Sequence, residues 1–247
     1  MKAMILAAGL GTRLRPLTDS RPKALVEIAG RTLLEITVER LRSSGVGEII
    51  VNVHHFADQV VDYLRARQNF GMRIEVSREE TLLDTGGGLK QAAWFFLEGS
   101  SRASEPFLLH NVDVISSIDL QEMVRAHRQS GALSTLAVQE RKSSRYLVFD
   151  KGVELCGRRF VEEDRTEQAR PAAHPQDLAF AGIHVISPKL LSMLTEDGAF
   201  SIIDAYLRLA AAGERIVAFR ADGAYWKDLG RPENLPQAEA DARRSGR

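Results

Sequence analysis

Lys2-Ala3-Met4-Ile5-Leu6-Ala7-Ala8-Gly9-Leu10-Gly11-Thr12-Arg13-Leu14-Arg15-Pro16-Leu17-Thr18, followed by Arg21-Pro22-Lys23-Ala24-Leu25, is where the chain declares its fold. Lys2 to Leu6 is a short apolar run of the kind that a buried parallel strand shows. Ala7, Ala8, Gly9 and Gly11 then give a turn almost without side-chain bulk. Such a backbone approaches a ligand closely, and glycine adopts positive φ at little cost. Consecutive amides in a turn of this kind form a concave anion site. Arg13 is able to fork onto phosphate oxygens, and Lys23 supplies a compact charge. Together they match the charge of a triphosphate.

Other nucleotide-binding loops fit less well. A dinucleotide fingerprint requires a third glycine where Leu14 stands, and no GxxxxGK[ST] loop occurs anywhere. The 247 residues are 44% hydrophobic, enough for one large α/β domain with a real core. Lys+Arg and Asp+Glu are equal at 33 each, which gives no footprint for nucleic acid or for a polybasic membrane contact. No apolar stretch reaches the roughly 18 residues of a membrane span. The first residues run straight into the glycine-rich loop, so they do not read as a cleavable signal. The single cysteine, Cys156, reads as packing in an apolar run and points to a reducing, cytoplasmic setting. There is no HExxH or His/Cys ligand spacing for zinc, and no GxSxG elbow for a covalent nucleophile.

Apolar runs alternate with helical patterns along the chain, which predicts a mainly parallel α/β sheet. Strands are expected at 48–53, 73–77, 106–111, 133–138, 179–187, 216–220 and 225–228. Helices are expected from Leu33 to Gly45 and at 57–67, 88–96, 119–130, 201–212 and 231–244, with another opened by Pro188. Asp150-Lys151-Gly152 signals a hairpin between 146–149 and 153–155. The charged, proline-containing segment 162–177 reads as a mobile loop. Thr85-Gly86-Gly87-Gly88 reads as bare amides in front of the helix that follows, suited to a base edge, a ribose or a sugar hydroxyl. His54 and His55 follow a strand end within reach of a ligand. Asp113, after Leu108-Leu109-His110-Asn111-Val112, lies just past a strand end, where open parallel sheets bind ligands.

The opening segment resembles the LAAGxGTRLxPLT…PKxL signature of the sugar-1-phosphate nucleotidyltransferases. The resemblance extends over nearly the whole chain, through TGGG, Asp113, Phe180-Ala181-Gly182-Ile183-His184-Val185-Ile186-Ser187-Pro188 and Trp226-Lys227-Asp228-Leu229-Gly230-Arg231-Pro232-Glu233. It implies a Rossmann-like, doubly wound, mixed but mainly parallel sheet in a single domain without a C-terminal β-helix. The nucleotide-binding half would span about 1–115 and the sugar-phosphate half about 116–235. It implies transfer of a nucleoside monophosphate from an NTP to a sugar 1-phosphate, with release of pyrophosphate and with Mg²⁺ as cofactor. Arg13, Lys23, Asp113 and Asp228 would be catalytic, and Asp113 and Asp228 would hold the metal. Leu6, Ala7, Ala8, Gly9, Gly11, Thr12, Arg13, Lys23, Thr85 and Gly86 would bind the nucleotide. Gly87, Gly88, Asn111, Glu162 and Gly182 would bind the sugar phosphate.

The TGGG and FAGIHVISP segments are most similar to the small N-acetylmuramate-1-phosphate uridylyltransferases, with mannose- and heptose-1-phosphate guanylyltransferases close by. UTP with an N-acetylated sugar 1-phosphate is therefore expected, and GTP with mannose or heptose 1-phosphate is the alternative. The chain departs from the family at Val112 (usually Gly), Ala24 (often Pro), Arg231 (Thr) and at the absent Glu-Lys-Pro motif. These departures leave room for a catalytically silent nucleotide-sugar sensor. A cytidylyltransferase acting on phosphocholine would need an aromatic cage, which a chain 6% aromatic does not offer near these loops. A monomer or a small homo-oligomer, with no nucleic-acid or membrane partner, is expected.

Overall fold

β1 (Lys2–Leu6) sends alternate side chains to two different cores: Ala3 and Ile5 to one face, Met4 to the other. That is why the run is continuously apolar rather than alternating. The computed structural model describes residues 1–98 and 105–245. After β1 come the short pair β2 (Glu27–Ile28) and β3 (Arg31–Thr32), then α1 (Leu33–Ser43), β4 (Glu48–Val53), α2 (Ala57–Ala66) and β5 (Arg73–Arg78). α3 (Asp84–Gln91), α4 (Ala93–Leu97), β6 (Phe107–Asn111), β7 (Val114–Ser116) and α5 (Leu120–Ser130) follow. The second half holds β8 (Ser134–Gln139), β9 (Arg145–Phe149), β10 (Leu155–Phe160), β11 (Arg165–Gln168), β12 (Gln176–Ile186), α6 (Ile202–Ala211), β13 (Ile216–Arg220), β14 (Trp226–Asp228) and α7 (Leu235–Ser245).

The main sheet runs β11-β10-β9-β12-β6-β1-β4-β5, with β8 beside β12 and β13 beside β8. β5, β4, β1 and β6 are mutually parallel; β12 is antiparallel to β6, β8 and β9; β13 is parallel to β8. The sheet is thus mixed and mainly parallel at its centre, as expected. Helices cover both faces: α1, α2, α5 and α7 pack on one core, and α3, α4 and α6 on the other. Caps fix several starts. Thr32 accepts from the Glu35 amide at 3.0 Å, the first half of a capping box, and Asp119 accepts from the Glu122 amide at 2.9 Å. Cys156 is buried, and burial pushes its thiol pKa up, as a packing cysteine requires. Among the described residues no helix is long and apolar enough to cross a membrane, and none forms a β-helix.

Several expectations need correction. The segment 162–177 is not a plain loop: β11 lies within it, and β12 already starts at Gln176. Ion pairs from Glu167 to Arg158 and Arg165, and the Arg165 guanidinium 3.9 Å above the Phe160 ring, hold this charged hairpin. The strand expected at 153–155 begins instead at Leu155, because Val153 completes the turn at φ 57°. Pro188 opens a 3-10 turn to Met193 rather than an α-helix, and the last helix is preceded by a 3-10 turn at Pro232–Asn234. The expected helix 88–96 breaks at Ala92 into α3 and α4, and α3 starts four residues earlier, at Asp84.

Candidate functional site

β1 has β4 on one side and β6 on the other, so the chain leaves the sheet in opposite directions on either side of it. The carboxyl ends at such a switch point form the ligand crevice of open α/β sheets. Leu6 lies opposite Asn111, and the Val112 amide donates to the Leu6 carbonyl at 3.1 Å. The glycine-rich loop and Asp113 therefore leave the sheet side by side.

In that loop Ala7 and Ala8 are buried, while Gly9, Leu10, Thr12 and Arg13 are exposed. A 3-10 turn at Thr12–Leu14 presents Arg13, which has no ion pair among the described residues. A second 3-10 turn, Lys23–Leu25, is anchored by fully buried Ala24 and aims Lys23 back at the crevice, where its ammonium pairs with Asp113. Val112 takes no positive φ and buries its side chain in the core, so the loss of the family's glycine there leaves the turn intact.

Asp228 comes from 115 residues downstream. β14 pairs antiparallel with β7, setting Asp228 opposite Val114. The Leu229 amide donates to the Asp113 carbonyl at 2.8 Å, and the Gly230 amide to Asp228 Oδ1 at 2.8 Å. Asn234 Nδ2 donates to the Asp228 carbonyl at 2.7 Å. A β-carbon on Gly230 would lie 2.8 Å from each of Asp113 Oδ2, Asp228 Oδ1 and Lys23 Nζ. The three expected groups thus converge on one point, and only glycine fits beside them. Burial, and then the Asp113 carboxylate, push the Asp228 pKa above the ordinary aspartate value, against the opposing Gly230 amide and Lys23. Two carboxylates facing one ammonium leave negative charge in excess. An oxygen-only pair of this kind suits Mg²⁺, which takes one or two carboxylates and completes its shell with water and substrate phosphate. Among the described residues no group of three or more potential metal ligands forms, so the protein would supply these two.

The TGGG segment is built differently from its expected form. Gly86, Gly87 and Gly88 lie buried inside α3, not in a loop before it. The amides of Gly86 and Gly87 donate to the Phe200 carbonyl at 2.9 and 3.3 Å, and the Thr85 hydroxyl accepts from the Ile202 amide at 3.0 Å. A β-carbon would meet the Phe200 ring at 2.2 Å from Gly86, the Gly198 carbonyl oxygen at 2.4 Å from Gly87, and Glu79 Oε1 at 2.6 Å from Gly88. The glycines admit protein neighbours, and helix packing alone accounts for Gly87 and Gly88. Gly182 sits at the bulge of β12 with φ 73°, where a β-carbon would lie 3.0 Å from Asn111 Nδ2 and 2.9 Å from Val114 Cγ2. It joins Asn111 beside the crevice. Glu162 is exposed in the β10–β11 turn and touches none of the converging groups. His54 is held by the Glu79 carbonyl at 2.9 Å, and the His55 ring lies tilted against that of Phe56.

Asn52 and Glu79 escaped sequence reasoning. Asn52, nearly fully buried in β4, accepts from the Ala7 amide at 2.7 Å and donates to Glu79 Oε1 at 2.7 Å; Glu79 Oε2 accepts from the Leu83 amide at 3.0 Å. This network ties the glycine-rich loop to the start of α3. Its signal was a polar residue interrupting the run Glu48-Ile49-Ile50-Val51-Asn52-Val53, since a buried polar side chain must find partners.

The sequence model of the nucleotidyl transferase family matches residues 2–245. N-acetylmuramate α-1-phosphate uridylyltransferase of Caulobacter vibrioides is 36% identical over 245 residues, covering 96% of this chain and 95% of that protein. UTP–glucose-1-phosphate uridylyltransferase of Synechocystis is 31% identical, and the catalytic β subunit of mannose-1-phosphate guanylyltransferase of Xenopus tropicalis is 32% identical. The chain spans 62% of the length of each of these two. Among solved structures, HddC from Yersinia pseudotuberculosis complexed with GMP-PN superposes with a TM-score of 0.76 at 23% identity, over 97% of this chain and 98% of that one. UDP-glucose pyrophosphorylase complexed with UDP-glucose superposes with a TM-score of 0.76 at 21% identity, over 100% and 99%. A glycine-rich loop, a lysine and two carboxylates gathered at the β1/β6 crevice, together with a family match over the whole described chain, make this an enzyme chain that belongs to the nucleotidyl transferase family.

Proposed function

We propose that the chain transfers a nucleoside monophosphate from an NTP to a sugar 1-phosphate, with UTP and an N-acetylated sugar 1-phosphate such as N-acetylmuramate 1-phosphate as the substrate pair. The observation that carries the reaction class is the convergence of Lys23, Asp113 and Asp228 around Gly230 beside an exposed Arg13. The substrate pair is supported by the relative from Caulobacter, which matches at nearly equal length. GTP with mannose or heptose 1-phosphate is the second reading, supported by the guanylyltransferase relative.

An oxygen of the acceptor phosphate attacks the α-phosphorus in line as the bond to the β-phosphate oxygen breaks, and pyrophosphate leaves. The attacking group is already an anion, so no strong base is needed, and catalysis is positioning plus charge stabilisation. The backbone from Leu6 to Thr12 lines the triphosphate. Arg13 takes the β/γ-phosphates and the leaving pyrophosphate. Lys23 neutralises charge at the α-phosphate and at the incoming oxygen. Thr85 and Gly86 border the nucleoside, and Asn111 and Gly182 border the sugar. Asp113 and Asp228 would hold Mg²⁺, which when bound supplies charge neutralisation to the triphosphate. The lone buried thiol supports a cytoplasmic setting, where such triphosphates are available.

The test is a thermal-shift comparison of UTP, GTP, CTP, dTTP and ATP with Mg²⁺, followed by pyrophosphate release across a panel of sugar 1-phosphates. A ligand that binds only the folded state raises its melting temperature by mass action. A selective UTP shift with turnover of an N-acetylated acceptor, reduced at least about 100-fold in Lys23→Ala, is the expected result. A GTP shift moves the substrates to the second reading. No shift and no pyrophosphate, in protein that melts cooperatively, leaves a catalytically silent homologue.

A further inference from the structure

Arg141 lies just past β8, and its guanidinium faces an aromatic ring and a carbonyl rather than a carboxylate. Its guanidinium carbon stands 3.6 Å from the centroid of the Trp226 indole, a cation–π contact. One terminal nitrogen donates to the Phe180 carbonyl at 2.7 Å. Its Nε is enclosed and has no hydrogen-bond partner. Arg141 forms no ion pair among the described residues, whereas Arg158, Arg165, Arg170, Arg208 and Arg220 are each paired. Burial pulls its pKa down, opposed by the charge of Asp228. An arginine nevertheless stays protonated in proteins, so this is a half-buried cation with donors unspent. Leaving such a group uncompensated is costly, and an oxyanion is what its planar fork matches.

Its position says which oxyanion. Trp226 lies two residues before Asp228 on β14, and its Nε1 donates to the Ala181 carbonyl at 2.8 Å. Phe180 and Ala181 lead into Gly182, which stands against Asn111. Arg141 therefore lies beside the segment that brings Gly182 to Asn111, the residues proposed to border the sugar. We propose that Arg141, placed over Trp226 and oriented by the Phe180 carbonyl, is the acceptor-side anion receptor, binding an oxyanion of the sugar phosphate through its remaining terminal N–H donors. The oxyanion is either the 1-phosphate or a carboxylate carried by the sugar. The chain lacks the Glu-Lys-Pro motif, and Arg141 supplies a half-buried cation beside Phe180 and Trp226. This inference rests on the proposed reaction, and its test is chosen to stand apart from it.

Trp226 is one of two tryptophans, so tryptophan fluorescence reports on the pair. Wild type and Arg141→Gln are titrated with N-acetylglucosamine 1-phosphate and with N-acetylmuramate 1-phosphate, and pyrophosphate release is measured with both. We expect saturable fluorescence changes in wild type, with acceptor Kd and KM raised roughly 10- to 100-fold in Arg141→Gln while the NTP KM stays within twofold. Equal losses for both acceptors assign the 1-phosphate. A loss confined to the muramate acceptor assigns the sugar carboxylate. Arg141→Lys, which keeps the charge without the fork, should restore only part of the affinity, and it replaces the glutamine variant if that one does not fold. Acceptor Kd unchanged within twofold, or an equal rise in the NTP KM, overturns the role. Wild type that binds an acceptor without releasing pyrophosphate overturns the reaction, while the titration still decides Arg141. Wild type that binds neither acceptor overturns both.

Discussion

Asp228 is the residue on which charge and stability pull in opposite directions. Its pKa is raised by burial and by Asp113, so the folded state holds its proton more tightly than the unfolded chain does. A raised carboxylate contributes full stability only below the unfolded value near 3.8, and the contribution is lost as pH rises through the folded pKa. Near neutrality the ionised pair is therefore a cost. Asp228→Asn keeps the acceptor for the Gly230 amide and removes the charge. It should melt no lower than wild type at pH 7 without added metal, gain nothing below pH 3.8, and lose Mg²⁺-dependent turnover. Melting curves at the two pH values decide this, and a variant clearly less stable at pH 7 sinks it. The residue's candidacy was legible from its place in Trp226-Lys227-Asp228-Leu229-Gly230, but not its contact with Asp113. That contact depends on β7 and β14, three residues each, too short for any periodicity to mark.

At the scale of elements, long apolar strands were legible because burial on both faces demands continuous hydrophobicity. β1, β4, β6, β8 and β13 stand where apolar runs predicted them. The start of α3 was misread for a physical reason. Three consecutive glycines argue against helix interior on propensity alone, by about 1 kcal/mol each relative to alanine. Tertiary packing overrides this, since no side chain fits against Phe200, Gly198 and Glu79. The two effects predict opposite signs for Gly87→Ala. Propensity alone would stabilise α3 by about 1 kcal/mol. A β-carbon 2.4 Å from the Gly198 carbonyl oxygen, however, has backbone in its way, and overpacking of that kind costs about 1–3 kcal/mol. We expect a net loss, read as a lower urea midpoint with an unchanged slope. A midpoint at or above that of wild type would show that α3 moves freely away from Gly198. The charged hairpin β10–β11 was missed on similar grounds. Its alternation is of ion pairs rather than of apolar and polar residues.

For the whole molecule, three histidines set the response to acid. His110 on β6 and His184 on β12 are buried in the centre of the sheet, and His127 on α5 lies between Thr135 and Ser187 at 2.9 and 3.0 Å. Burial lowers the pKa of His110 and His127 to about 4, and that of His184 to about 3. All three are neutral in the folded state at pH 5, whereas the unfolded chain protonates them below about 6.5. The unfolded state then binds more protons, so stability rises with pH from about 4 to 6.5 and is lost as pH falls through that window. Each histidine contributes up to about 1.4 kcal/mol per pH unit, so the three together make the fold strongly acid-sensitive well above the range where most carboxylates titrate. The urea midpoint should hold steady from pH 8 to 7 and fall steeply from 6.5 to 5. His127→Gln, which offers an amide to the same two hydroxyls, should flatten that fall by about one third, whatever it does to absolute stability. A midpoint that stays level down to pH 5, or an equal slope in the variant, would mean that these imidazoles gain protons without unfolding the chain.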